Sequence, residues 1–261
     1  MFLGNDLVHW SGTAAREKES LSRRTRRFVA RVLHEGEHAL LERLGTIRSR
    51  MVTTPLPRGR ALWALWAAKE ATFKAAVKAW PGLVFSPRSI RIEFFPALSG
   101  HGGREGRDPW PVTRCDDSGY QAAALRPLAR GLAHVRDHVY EILWEYHDDV
   151  VHAVAMGPFP RGGGGGHDQR HGDHWNAIVR TIAQIPSHRA SEAVRSIALH
   201  LLSDPHHAVA PGVGIVRNLL TNGRLGPPTI HDGAPREDLD LTLTHDGPWG
   251  AAAIFRRTAP T

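Results

Sequence analysis

The densest chemical signal in this sequence is the run Trp66-Ala-Ala-Lys69-Glu70-Ala71-Thr-Phe73-Lys74. Glu70 and Lys74 stand four apart, so a helix places both on one face. The commoner reason for that spacing is an ion pair worth about 0.2–0.5 kcal/mol. A second reason requires another carboxylate nearby. Asp6 is the candidate: it follows Gly4-Asn5 in a short apolar run, where its alternative role is a turn or cap residue. Two carboxylates from separate elements can hold Mg²⁺, which favours a few carboxylates, water and phosphate oxygens. A lysine beside them can steady charge developing on a pyrophosphate. His245, in Leu-Thr-Leu-Thr-His-Asp-Gly, is one of 17 histidines. A lone histidine is usually structural; beside a hydroxyl residue it can also bind a phosphate. His171-Gly-Asp-His174 and His206-His207 lack the cysteine partners or the His-Glu-x-x-His spacing of a zinc site.

The elements that must position these residues follow from periodicity. Residues 4–10 read as a short strand. Residues 22–45 carry a helical pattern through Phe28, Val29, Val32, Leu33, Leu40, Leu41 and Leu44, with Arg23, Arg24, Arg26 and Arg27 crowding its start. Residues 59–79 form a second helix that Pro81-Gly82 terminates. Residues 88–95 alternate as a strand, 98–119 form a long polar loop, and strands follow near 139–145 and 149–156. Five glycines at 162–166 make a flexible linker. Beyond it, helices are expected near 174–184 and 189–203, and strands near 213–219, 228–230, 239–244 and 249–255. Asn222-Gly223 and Asp232-Gly233 are turn signals.

The chain has 261 residues and a formal net charge of +7, carried almost entirely by arginine. Its four lysines are Lys18, Lys69, Lys74 and Lys78, three of them within one ten-residue stretch. A compact, mobile ammonium suits a phosphate. No apolar run reaches the length of a membrane span, the N-terminus lacks a secretory pattern, and the single cysteine, Cys115, rules out an internal disulfide. The expectation is a cytoplasmic protein with no membrane partner. The basic balance alone would admit nucleic acid, but no finger, helix-turn-helix or RNA-recognition pattern accompanies it.

An internal repeat links the two halves. Residues 143–155 and 241–253 align without a gap at Leu143 and Leu241, at His147-Asp148 and His245-Asp246, and at two alanines in each. Lys69-Glu70-Ala71 answers to Ser191-Glu192-Ala193 at the front of another helix. The expected domains are therefore 1–160, a linker at 161–167, and a shorter second unit at 168–261.

These pieces together resemble the 4′-phosphopantetheinyl transferase superfamily, holo-acyl-carrier-protein synthases in particular. Gly4-Asn5-Asp6-Leu7-Val8 is similar to the family's Gly-Ile-Asp-Ile-Val opening, and Trp66–Lys74 to its signature helix. Arg27-Phe28-Val-Ala-Arg31-Val-Leu33 with Glu37 resembles the helix between them. Ser89–Glu93, Gly226-Pro-Pro228 and Leu243-Thr244-His245 resemble later segments. The resemblance implies an α+β fold of two similar subdomains, each a small antiparallel sheet packed by helices, related by a pseudo-twofold axis. It implies Mg²⁺-dependent transfer of phosphopantetheine from coenzyme A to a serine of an acidic acyl, peptidyl or polyketide carrier protein. Asp6 and Glu70 would hold the metal, and Glu70 and Lys74 would be catalytic. Lys69, Lys74, Thr244, His245 and Arg224 would bind the coenzyme A nucleotide, and Arg23, Arg24 and Arg27 would dock the carrier. A non-catalytic member that binds coenzyme A or a carrier is the alternative. Asn5 replaces an apolar residue, Val8 and His9 replace acids found in other members, and Pro227 stands where a lysine or arginine is usual, with Arg224 as the nearby substitute. The opposite cleft, expected to hold Glu192 and His147 with no counterpart of Asp6, is expected to be inactive.

Overall fold

A computed structural model describes residues 1–10, 23–46, 58–95, 120, 123, 126–147, 150–160, 175, 177–203, 212–220, 223 and 225–257. The polar loop at 98–119 and the glycine run at 162–166 lie outside the described residues. The first half contributes β1 (Phe2–His9), α1 (Arg23–Val32), α2 (His38–Thr46), α3 (Arg58–Ala79), β2 (Arg91–Phe95), β3 (Arg126–Val135), β4 (His138–His147) and β5 (Val150–Pro160). The second contributes β6 (Ile178–Gln184), α4 (Ala190–Leu202), β7 (Gly214–Leu219), β8 (Leu225–Asp232), the two-residue β9 (Ala234–Pro235), β10 (Leu239–Asp246) and β11 (Trp249–Arg256).

The first half forms a five-stranded antiparallel sheet in the order β1-β5-β4-β3-β2. The second forms β10-β11-β6 and a small sheet β7-β8-β9. Side-chain alternation sets the faces. Ile142, Trp144, Val151, Ala153 and Ala155 point at α3, whose Ala64, Ala67, Ala68, Ala71 and Ala75 present a flat surface to them. The indole of Trp144 donates to the Ala64 carbonyl at 2.9 Å. The opposite face, through Leu3, Leu143, Val154 and Met156, packs on Ile178, Ala253 and Phe255 of the second half. There α4 covers the outer face with Ala193, Val194, Ile197 and Leu201 over Leu241, Ala252 and Ile254. The chain is thus stacked helix, sheet, sheet, helix, which is why β1, β5 and β11 read as nearly unbroken apolar runs.

Three expectations are corrected. Residues 178–184 are strand β6, not helix: Ile178, Val179, Thr181 and Ile182 are β-branched, and burial on both faces hides their alternation. The single helix expected at 22–45 is broken at Glu35–Glu37 into α1 and α2. Strand β3, with Val135 its one β-branched residue among Leu128, Ala129, Leu132 and Ala133, gave no strand signal.

β1 lies at the edge of its sheet, and β10 closes that edge with side chains instead of backbone. Leu3 N donates to Asp240 Oδ2, Asn5 N to Thr242 Oγ1 at 3.1 Å and His9 N to Asp246 Oδ2 at 2.9 Å. Alternate residues of one strand therefore satisfy alternate amides of the other. Buried Lys78 completes the junction, donating to the Leu3 carbonyl (2.7 Å), the Leu241 carbonyl (2.8 Å) and Asp240.

Gly4 is required by the helix above it. A Cβ there would lie 1.8 Å from the Ala71 carbonyl oxygen and 2.6 Å from the Ala75 nitrogen, both backbone atoms. Gly4→Ala is expected to cost at least about 1–3 kcal/mol by overpacking, read as a lower denaturant midpoint. An unchanged midpoint would mean that α3 can ride up without loss.

Candidate active site

Asp6 shares the even-numbered face of β1 with Gly4, so the close strand–helix contact at Gly4 carries Asp6 under α3. The Lys74 ammonium donates to Asp6 Oδ1 at 2.7 Å and lies 3.6 Å from Glu70 Oε1. Thr244, from β10, donates its hydroxyl to the same Asp6 oxygen at 3.1 Å. Both bonds fall on Oδ1; Oδ2 accepts none among the described residues. Burial is the main influence on the Asp6 carboxyl, and the neighbouring Glu70 adds to it. Together they outweigh Lys74 and push its pKa up to about 7. A carboxylate so placed has too little positive charge around it.

Asp6, Glu70, Lys74, Thr244 and His245 line one cleft of about 290 Å³, together with Ser191, Arg195 and Arg217. Both halves therefore build it: β1 and α3 from the first, β10, α4 and β7 from the second. The exposed His245 ring lies 3.4 Å from the Ser191 hydroxyl. Among the described residues no group of three or more His, Cys, Asp or Glu side chains is placed to hold a metal ion.

Residues 3–125 match the family model of the 4′-phosphopantetheinyl transferase superfamily. Over those residues the chain is similar to that superfamily. Neither a curated protein nor a solved structure matches the chain. The superfamily match covers β1, with Asp6, and α3, with Glu70 and Lys74, but stops before the second half that supplies the far wall of the cleft.

Several expected site residues lie elsewhere in this transferase-like fold. Lys69 is not in the cleft. It is fully buried, and its ammonium donates to Glu37 Oε2 (2.6 Å) and to the carbonyls of Pro87 (2.9 Å) and Ile90 (2.7 Å). All three of its donors are thereby spent. It sits one residue from Glu70 but about 100° around α3 from it, a difference of helix phase. Arg224, and the side chains of Arg23 and Arg24, lie outside the described residues. Arg27 is exposed on α1, which is held against α3 by Phe28 stacked near Trp63 (5.0 Å) and Trp66 (5.5 Å). Pro227 and Pro228 line a separate hollow of about 370 Å³, with Phe2, Val77 and Leu239, toward the other end of β10.

Ser191, the counterpart of Lys69 in the repeat, lines this cleft. Glu192 is turned to solvent and paired with Arg189 at 2.8 Å. His147 packs against the Trp249 ring, 5.4 Å between centroids. β6 carries no acid anywhere along its length. Arg195 and Arg217 are the residues the sequence reading missed. Neither falls in a motif, and only the folding of α4 and β7 beside β10 brings them to Asp6.

Asn5, which replaces an apolar residue of the family pattern, also has its reason. Its side chain accepts from Thr242 at 2.9 Å and approaches His152 Nε2 at 3.4 Å. His152 in turn lies 3.4 Å from Glu145, which Arg180 grips from the second half. Burial pulls the His152 pKa down. For Glu145, burial pushes the pKa up but the Arg180 charge and hydrogen bonds prevail, holding it at about 2. A buried polar chain thus crosses between the two sheets immediately behind Asp6.

Proposed function

We propose that the protein transfers 4′-phosphopantetheine from coenzyme A to a serine of an acidic carrier protein. The observation that carries the proposal is the convergence of Asp6, Glu70 and Lys74 with Thr244 and His245 in one cleft built by both halves. The two halves are read as diverged copies about a pseudo-twofold axis, divided at the glycine run. The equivalent order β1-β5-β4 and β6-β11-β10, each with one helix laid over it, supports that reading.

The donor set fits Mg²⁺: two carboxylates, one with an oxygen free of hydrogen bonds, leave the remaining positions to water and phosphate. When bound, the ion would neutralise the diphosphate of coenzyme A. Lys74 then sits where charge accumulates on the phosphate oxygens in the transition state. Glu70, half exposed at the cleft, takes the proton of the incoming serine, directly or through water. The serine oxygen bonds to the β-phosphorus, the bond from that phosphorus to the bridging oxygen breaks, and adenosine 3′,5′-bisphosphate leaves. Thr244 and His245 bind phosphate oxygens from the second half. The exposed Arg27 of α1, beside the aromatic run Phe28-Trp63-Trp66, offers a charged edge for an acidic carrier.

The test is incubation with coenzyme A, Mg²⁺ and a panel of apo carrier proteins, read by carrier mass. A gain of one phosphopantetheine that Glu70→Ala removes is the expected outcome. Coenzyme A binding with no mass gain on any carrier would identify a non-catalytic member instead.

A pH dependence follows from Asp6. The metal needs the ionised carboxylate, and protons compete for it below about pH 7. Mg²⁺ affinity of the substrate-free protein is expected to fall about tenfold per pH unit on descending from pH 7 to 5, and to level off above. Calorimetric titration across that range would show it. A flat profile would remove Asp6 from the ligand set.

A further inference from the structure

The two halves meet along a seam between β1 and β10, strands of separate sheets. The strands run in parallel, each residue of β1 beside the one 237 places further along the chain: Leu3 N donates to Asp240, Asn5 N to Thr242 and His9 N to Asp246. The two end rungs finish on carboxylates, which accept from any amide. The middle rung is different. Thr242 accepts from Asn5 N at 3.1 Å and donates back to Asn5 Oδ1 at 2.9 Å, so each residue needs the other in register. That bond leaves the Asn5 amide nitrogen toward His152 Nε2, 3.4 Å away. His152 Nδ1 lies 3.4 Å from Glu145, which Arg180 of the second half holds through Nε at 2.8 Å and through Nη2. One assignment satisfies the whole row: Glu145 accepts from Nδ1–H, and Nε2 accepts from Asn5. All five side chains are buried.

Apolar residues at positions 5 and 242 would fill the same volume but fix no register, because apolar contact has no direction. A buried polar row does fix one, since any slip strands its donors and acceptors away from water. Two places beyond Thr242, on the same face of β10, stands Thr244. Its hydroxyl meets Asp6 Oδ1 at 3.1 Å, the oxygen that Lys74 also holds, and Oδ2 is thereby left to a ligand. A slip of β10 along β1 takes Thr244 off Asp6 and frees the carboxylate to turn. We infer that Asn5 and Thr242 are positioning residues, whose reciprocal pair locks β10 against β1 and so sets the Asp6 carboxylate through Thr244. On the proposed function, this is the device that aligns the two halves for transfer.

The test measures carrier modification and calorimetric Mg²⁺ affinity in Asn5→Leu, Thr242→Val, Thr242→Ser and the Asn5→Leu/Thr242→Val double variant, each well below its melting temperature. Asn5→Leu and Thr242→Val are expected to lower kcat and Mg²⁺ affinity about tenfold each. KM for coenzyme A should stay within about twofold of wild type, the mark of a loss felt in the transition state. The double variant should lose no more than either single one, because each breaks the same pair. Thr242→Ser keeps the hydroxyl and should recover both readings. Ile92→Val, in β2 at the far edge of the first sheet, thins the core without touching the seam; it should lower the melting temperature and leave both readings unchanged. Wild-type kcat and Mg²⁺ affinity in Thr242→Val, or a serine variant no better than the valine one, overturns the inference while transfer still stands. If the wild type modifies no carrier, the proposed function falls and the inference is decided by Mg²⁺ affinity, which needs no coenzyme A. A wild type that neither transfers nor binds Mg²⁺ overturns both.

Discussion

Asp6→Asn is expected to reduce carrier modification at least about a thousandfold and at the same time to raise the melting temperature of the metal-free protein at pH 8. The two effects have one cause. The Asp6 carboxyl titrates near 7 against an ordinary value of 3.8, because burial and Glu70 together outweigh Lys74. An acid whose folded pKa is raised is destabilising once ionised. The burden is absent below about pH 4, where both folded and unfolded forms are protonated, and grows until the pH passes about 7. Asparagine keeps the shape and can still accept from Lys74 and Thr244, but has no charge to bury. It also has no charge for Mg²⁺. The protein thus buries at Asp6 a carboxylate whose charge a bound cation would offset. Lys74→Ala is expected to match the loss of transfer but not the gain in stability, since it removes the cation paired with the buried acid. Denaturation of both variants with and without Mg²⁺ distinguishes the cases. If Asp6→Asn melts lower than wild type at pH 8, the carboxylate is structural.

The helix carrying Glu70 and Lys74 was readable because its evidence is local: a long apolar repeat, a Pro-Gly stop and a spacing of four. Asp6 was readable for a different reason, since an acid inside an apolar strand needs an explanation. What could not be read depended on phase or on contact between distant segments. Lys69 and Glu70 are neighbours in sequence but on a helix point about 100° apart. That angle separates a structural lysine from an acid of the cleft, and the motif gives no sign of it. β6 was mistaken for a helix because a strand buried on both faces loses its alternation. Arg195 and Arg217 belong to no pattern and acquire their position only when α4 and β7 settle beside β10. The replacement of an apolar residue by Asn5 looked like a departure from the family and proved to be one end of a chain of polar contacts reaching Arg180.

Lys69→Ala is expected to cost about 3–5 kcal/mol of stability, the largest loss of any single change here. Glu37 is the reason. It is 1 % exposed, and beyond the Lys69 ammonium it accepts from His34 N and Ile92 N, both at 2.7 Å. One carboxylate therefore ties the α1–α2 junction, α3 and β2 into a single unit, and Lys69 supplies the charge that makes its burial tolerable. Burial pulls the Lys69 pKa down even with Glu37 pushing it up, so the lysine too depends on the pair. Removing it strands an anion in the core and takes a donor from the carbonyls of Pro87 and Ile90. Glu37→Gln is expected to be milder, because an amide still accepts from Lys69 and removes the need for charge. For the folded fraction of Lys69→Ala, KM for coenzyme A should stay close to wild type, since the ammonium is spent 2.6–2.9 Å from protein oxygens. A variant of normal stability with a raised KM would instead return Lys69 to the phosphates, and would require α3 to turn by roughly one residue, about 100°, from the phase found here.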